Sequence, residues 1–251
     1  MRLSSWGADL VDLLLPAGCV ACRVWIPGGS DAPLVCVRCR SRLREAPWPR
    51  CPRCHHPRGT GRVDAPDCLE CRTWSPSLTA ARYAFVLEPP ADDLVHALKY
   101  EGWPELADFM GEALARLDLP EIVSSGRSAV VPVPTTSGRL RSRGYNQAEL
   151  LARRLAEARH LPMYRAIQRT AEGRSQTSLA PAERRENVRG AFSRVPRAVR
   201  LIGGAHVVLV DDVLTTGATA SEAAATLTNM GAATVTLVAF GRALASRPRR
   251  R

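Results

Sequence analysis

The chain has 251 residues and a formal charge of +11, and Lys99 is the sole lysine among its 35 basic residues. No run approaches the ~20 apolar residues that a membrane-spanning helix requires, which excludes membrane insertion of that kind and leaves the cytoplasm as the expected location. So basic a balance favours phosphorylated ligands or nucleic acid, while a genomic bias towards arginine equally fills solvated positions with guanidinium groups.

The segment from Met1 to Cys19 ends in LPAGC, like a lipoprotein signal, but Asp9 and Asp12 interrupt its apolar stretch and Arg2 is its only early cation. Leu3, Trp6, Gly7, Leu10, Val11 and Leu14 instead follow helical spacing, and Pro16 stops the pattern. This predicts an amphipathic helix that packs on its own protein.

All 8 cysteines precede residue 72 and form CxxC pairs: Cys19 with Cys22, Cys36 with Cys39, Cys51 with Cys54, and Cys68 with Cys71. The last two pairs repeat the first two with the same internal spacing, which is evidence of two equivalent sites. A CxxC turn aims two sulfurs at one tetrahedral ion, and two such turns complete a four-cysteine shell with no position left for water. Two structural Zn²⁺ sites follow, each stabilising the module by ~10–16 kcal/mol of metal binding. Disulfides would require export, and a redox CxxC would need a strand–helix context that is missing here. His55 and His56 follow Cys54 as loop residues outside a complete cysteine set, and Trp25, Trp48 and Trp74 lie in or beside the loops. A boundary near residues 72 to 78 divides the chain into a small zinc-ribbon module over 1–75 and a domain over 76–251.

Beyond that boundary, β-prone runs at Thr79–Val86, Ala129–Val133, His206–Val210 and Ala233–Phe240 alternate with segments of helical periodicity. That pattern predicts an α/β domain with a mostly parallel sheet. Ala148, Leu151, Ala152 and Leu155 share one helical face; Ala220, Ala223, Ala224 and Leu227 share another, with Gly231 placed to end the second helix. His96 and Lys99 fall on an earlier helical segment, His96 as a packed residue and Lys99 as a candidate ligand contact.

The chemistry concentrates in VVLVDDVLTTGATA, Val207 to Ala220. Its first four apolar residues, Val207 to Val210, make a buried strand; ligands of such sheets bind just beyond the strand's carboxyl end, where Asp211 and Asp212 sit. Thr215, Thr216, Gly217, Ala218 and Thr219 then form a small-residue loop entering a helix, where free N–H groups and hydroxyls cradle a phosphate. Neither GxGxxG nor GK[ST] occurs, so the dinucleotide and P-loop fingerprints do not apply. Arg139, Arg141 and Arg143 alternate, so an extended loop would aim all three the same way, towards a pyrophosphate or, on the bland reading, into solvent. Gly144, Tyr145 and Asn146 open the next helix.

The Val207–Ala220 motif resembles that of the type I phosphoribosyltransferases, which bind 5-phosphoribosyl-1-pyrophosphate (PRPP). The segments LVHALKY, VVPVPTTSGRLRSRGYNQ, RTAEGRSQTSL and ERRENVRGAF, with the CxxC repeat before them, resemble the successive blocks of ComF proteins over nearly the whole chain. The resemblance implies a phosphoribosyltransferase fold behind a double zinc ribbon. Asp211 and Asp212 would hold the ribose hydroxyls, with Asp212 stabilising an oxocarbenium-like transition state, and Thr215–Thr219 would hold the 5′-phosphate. It also implies Mg²⁺ accompanying PRPP, Lys99 in a hood over the sugar, and a closing loop at Gly173–Ala180 carrying Arg174 and Gln176. Transfer of phosphoribose to a nitrogen acceptor is the activity expected. The alternatives are a non-turnover single-stranded DNA-binding factor in natural competence, with competence-machinery proteins as partners, and a PRPP-sensing regulator.

Overall fold

Runs rich in Val, Leu and Ala without helical periodicity build the centre of the molecule, since residues buried on both faces of a parallel sheet read as continuous apolar stretches. The computed structural model describes residues 18–27, 33–59, 68–170 and 190–244, with the side chains of 124 and 125 left aside. The amino-terminal helix expected up to Pro16 and the Gly173–Ala180 loop with Arg174 and Gln176 lie outside the described residues.

Four strands form one sheet in the order β1-β6-β5-β2: β1 (Leu78–Val86), β2 (Ser128–Pro132), β5 (His206–Leu214) and β6 (Thr234–Arg242). Every pairing in it is parallel. β3 (Ile167–Arg169) and β4 (Phe192–Arg194) make a separate antiparallel ribbon. The predicted strands are all present, but β5 runs past Val210 to Leu214, because its backbone stays paired with β6 as far as Arg242. Asp211 and Asp212 therefore lie on the strand itself rather than just beyond it.

Alternate residues of the sheet serve two cores. On one face Val208, Val210, Val238 and Phe240 pack with the helices α2 (Ala91–Tyr100), α3 (Leu106–Ala115) and α6 (Gln147–Arg159), following α4 (Glu121–Ser125) and α5 (Ser137–Arg143) in chain order. On the other, Val207, Leu209, Val235 and Leu237 meet α8 (Ala218–Asn229), with the short α7 (Val199–Ile202) at its edge. α6 buries Ala148, Leu151, Ala152 and Leu155 as its spacing predicts, and α8 buries Ala220, Ala223, Ala224 and Leu227. Each buried leucine of this kind stabilises the fold by about 1.5–3 kcal/mol.

The cysteine segment divides between the two faces. Cys19, Val20, Ile26, Val35 and Cys39, the last on α1 (Val37–Arg42), join the core that α3 and α6 cover. Cys51, Cys54, Cys71 and Trp74 join the core that α8 covers. Arg242, only 1% exposed at the end of β6, donates to Cys54 O at 2.7 Å and lies over the Trp74 and Tyr83 rings. Among the described residues no helix is long and apolar enough to cross a membrane.

Candidate functional site

The cysteines assemble as their spacing predicts. Cys19, Cys22, Cys36 and Cys39 form one cluster and Cys51, Cys54, Cys68 and Cys71 another, each with its four sulfurs within 4.8 Å of one another. Tetrahedral zinc with bonds of ~2.3 Å sets sulfur–sulfur separations of about 3.8 Å. The pairs Cys22–Cys36, Cys54–Cys68 and Cys51–Cys71 stand at 3.8, 3.7 and 3.9 Å. Burial pushes the Cys39 and Cys54 thiols far up and Cys71 to about 11. Cys19 falls to about 6, because the N–H groups of Cys36, Cys22 and Ala21 outweigh the burial that opposes its ionisation. Four touching sulfurs ionise together only around a cation, so both clusters fit, and could hold, a zinc ion. His55 and His56 are outside the clusters.

The second site is an open cleft of about 420 Å³ at the carboxyl end of β5, lined by the strand end Asp211–Leu214, the following turn Thr215–Gly217 and the first residues of α8, Ala218–Ala220. Its rim comprises Lys99, Tyr100, Arg139, Arg143, Asn146 and Arg169. Gly217 is the N-cap of α8 with φ 80°, a left-handed conformation that glycine adopts at little cost. The loop thus turns sharply into α8, whose first N–H groups have no intrahelical acceptor. Thr216 Oγ1 accepts from the Ala218 N–H at 3.4 Å.

Asp212 is 7% exposed, and its Oδ2 lies 2.9 Å from Lys99 Nζ, so the sole lysine of the chain stands directly against the acidic pair. The Asp212 N–H donates to Asp211 Oδ1 at 2.9 Å. Burial and the neighbouring Asp212 push the Asp211 carboxyl up to about 7, against the pull of Lys99. Lys99 is held by the end of α2, where Tyr145 OH donates to Leu98 O at 2.7 Å and Glu101, the helix C-cap, pairs with Arg23 of the first cysteine knuckle. Tyr100, beside it, is 62% exposed under the Arg143 guanidinium.

Two expectations are corrected. Arg139, Arg141 and Arg143 do not alternate along an extended loop; they sit on α5, which Thr136 caps by accepting from the Arg139 N–H and Gly144 ends at φ 81°. At helical spacing Arg139 and Arg143 share a face and line the cleft, whereas Arg141 is outside the lining. His96 is not packed: its side chain is 60% exposed and its Nδ1 lies 3.2 Å from Glu101 Oε1.

Two residues were missed. Arg169, at the end of β3, lines the cleft with its Nε buried and unpartnered, and burial together with Arg139 lowers its pKa. Gln147, the first residue of α6 and 4% exposed, also lines the cleft with an unpartnered Nε2. Arg169 gave no signal in a chain so rich in arginine; Gln147 follows the Gly144–Asn146 turn, and a polar residue in the first turn of an otherwise apolar helix face was the available clue.

An acidic pair beside a small-residue turn that enters a helix, at the carboxyl end of a central parallel strand, is the arrangement of a phosphoribosyltransferase-type domain. Residues 140–251 match the phosphoribosyl transferase domain family. The chain is 34% identical over 232 residues to the DNA utilization protein YhgH of Escherichia coli O157:H7, covering 89% of this chain and 96% of that protein. It is 27% identical to competence protein F of Haemophilus influenzae, over 90% of this chain and 96% of that one, and 25% identical to competence protein ComFC of Bacillus subtilis, over 79% and 80%. The chain belongs to the ComF family of proteins, and in it two four-cysteine clusters precede the phosphoribosyltransferase-like domain. Among solved structures, the allosteric regulatory enzyme of purine biosynthesis aligns at TM-score 0.37 and 20% identity, over 54% of this chain and 25% of that longer one.

Proposed function

We propose that this protein binds PRPP in the cleft and transfers phosphoribose to a nitrogen acceptor with release of pyrophosphate, in the cytoplasm. The observation that carries the reading is the convergence of Asp211, Asp212, the Thr215–Gly217 turn with the start of α8, Lys99, Arg139 and Arg143 on one cleft of about 420 Å³, a size suited to a single small ligand.

In this reading the α8 N-terminus and the Thr215–Thr219 hydroxyls hold the 5′-phosphate, and Asp211 and Asp212 accept from the ribose 2′ and 3′ hydroxyls. Arg139, Arg143 and Arg169 face the pyrophosphate. Two crowded carboxylates, one of them pushed up to about 7, also suit a divalent cation, so Asp211 and Asp212 would hold the Mg²⁺ brought in with the substrate. When bound, that ion would supply charge neutralisation for the leaving group. As the anomeric C–O bond breaks, its electron pair leaves with pyrophosphate; the acceptor's lone pair forms the new C–N bond, and the acceptor's proton passes to water. Asp212 stabilises the positive charge that develops on the sugar, while Lys99 fixes the direction of its carboxylate. Catalysis is positioning and electrostatics, with no covalent nucleophile from the chain. The two cysteine clusters hold structural Zn²⁺.

The names of the relatives, DNA utilization protein and competence protein, favour a second reading. In it the basic surface holds incoming single-stranded DNA beside proteins of the competence machinery, and the cleft binds a phosphoribose group without turnover. A ³¹P time course of PRPP with Mg²⁺, protein, pooled nucleobases and ammonia separates the two. Growth of free pyrophosphate that Asp212→Asn abolishes supports transfer, with turnover reduced more than affinity; a bound but intact PRPP supports the second reading.

A further inference from the structure

The loop that opens α8 is held from behind by the second cysteine knuckle. Trp74 follows Cys71 and its N–H donates to Cys71 O at 3.1 Å. The indole is 5% exposed, and the guanidinium groups of Arg53 and Arg242 each lie 5.8 Å from its ring. Arg53, between Cys51 and Cys54, braces the same turn by donating to Cys71 O at 3.1 Å and to Ser75 O and Leu78 O at 2.8 Å. From this frame Trp74 Nε1–H donates to Thr216 O at 2.8 Å, and the Ser75 N–H donates to Ser221 Oγ on α8 at 3.3 Å.

The consequence for the loop follows from peptide planarity. Carbonyl and N–H of one trans peptide point in opposite directions. With Thr216 C=O drawn to the indole, the Gly217 N–H of the same peptide is turned away from it. Gly217 lines the cleft and Trp74 does not. A Cβ on Gly217 would lie 2.4 Å from Trp74 Nε1 and 2.5 Å from Cε2, so the indole also fixes how near the loop backbone approaches the knuckle.

We infer that Trp74 is a positioning residue for the anion loop: the four-cysteine knuckle, through the indole N–H, sets the Thr216–Gly217 peptide so that its N–H faces the 5′-phosphate. This rests on the phosphoribose reading of the cleft and adds to it a role for the cysteine module, which becomes the back wall of the ligand site.

The test compares wild type with Trp74→Phe, which keeps an aromatic ring in the core and removes the donor, using ribose 5-phosphate and inorganic pyrophosphate as separate probes. The expected result is about tenfold weaker binding of ribose 5-phosphate, the worth of one buried hydrogen bond, with pyrophosphate affinity and zinc content unchanged. In ¹⁵N spectra of the zinc-loaded wild type, the assigned Trp74 indole resonance shifts on saturation with ribose 5-phosphate. Equal ribose 5-phosphate affinity in the two proteins overturns the inference, and so does an equal loss for both ligands, which marks a merely structural residue. Should the variant lose zinc or fail to fold, the wild-type spectrum decides alone, because a Trp74 resonance unmoved at saturation overturns the coupling. Wild type that binds neither probe instead removes the reading of the cleft on which the inference rests.

Discussion

Lys99 Nζ and Asp212 Oδ2 are 2.9 Å apart, with their side chains only 22% and 10% exposed. Within reach of Asp212 is a second carboxylate, Asp211, so the ammonium group compensates a pair of like charges rather than one. Lys99→Met leaves that pair uncompensated and destabilises the fold by about 1–2 kcal/mol at pH 8. At pH 5 the loss is smaller, because Asp211 then carries a proton. Thermal denaturation at both pH values checks this; an equal loss at both contradicts the electrostatic account.

Asp211 itself titrates high, at about 7 against an ordinary 3.8, because burial and Asp212 disfavour its charged form. A carboxyl raised on folding contributes stability that is complete below its unfolded pKa and is lost as pH rises through the folded one. Asp211→Asn removes that loss. The variant is therefore more stable than wild type by about 2 kcal/mol at pH 8, with little difference near pH 4; this is below the full ~1.4 kcal/mol per pKa unit because the half-buried carboxyl is partly screened by water. Denaturant midpoints at the two pH values provide the measurement.

Arg139 and Arg143 line the cleft and Arg141, between them on α5, does not. Arg139→Ala or Arg143→Ala weakens pyrophosphate binding about five- to tenfold, the worth of one charge-assisted contact. Arg141→Ala leaves it within twofold, on the same scale. Calorimetric titration of the three variants decides whether the helix face or the mere density of arginine matters.

The two cysteine clusters differ in access. Cys22 is exposed, whereas Cys51, Cys54 and Cys71 are buried and Cys68 is partly so. Chelator challenge of the zinc-loaded protein releases metal in two phases, the first from the Cys19–Cys39 cluster. Because Cys51, Cys54 and Trp74 share a core with α8, the second phase coincides with loss of tertiary structure by near-ultraviolet circular dichroism. Cys22→Ser abolishes the fast phase; its survival in that variant contradicts the assignment.

How much of this was legible in the chain depended on range. The CxxC repeat is a local signal that the structure assembles as read; the Val207–Val210 run and the small-residue segment after it were legible in kind, although the strand runs on to Leu214 and the helix already begins at Ala218. Lys99 was legible as the single departure from arginine, although its partner was not. The α5 helix is also written locally, in Thr136 as cap and Gly144 as stop, but the alternation of three arginines is a competing local pattern that fits an extended segment equally well. The strand limit at Val210 failed because backbone pairing with β6 continues regardless of which side chains follow. Arg169 and the Trp74–Thr216 bond belong to a different class: each depends on segments far apart in sequence, and no local pattern announces which carbonyl a tryptophan N–H will meet.

The central claim is that the cleft holds PRPP by both of its ends, and ³¹P spectra of PRPP titrated with zinc-loaded protein in the presence of Mg²⁺ test it most directly. The account predicts that the 5-phosphate and pyrophosphate resonances both shift or broaden, and that Arg139→Ala diminishes the effect on the pyrophosphate signals while Trp74→Phe diminishes it on the 5-phosphate signal. Resonances unchanged at saturating concentrations of folded protein would contradict it.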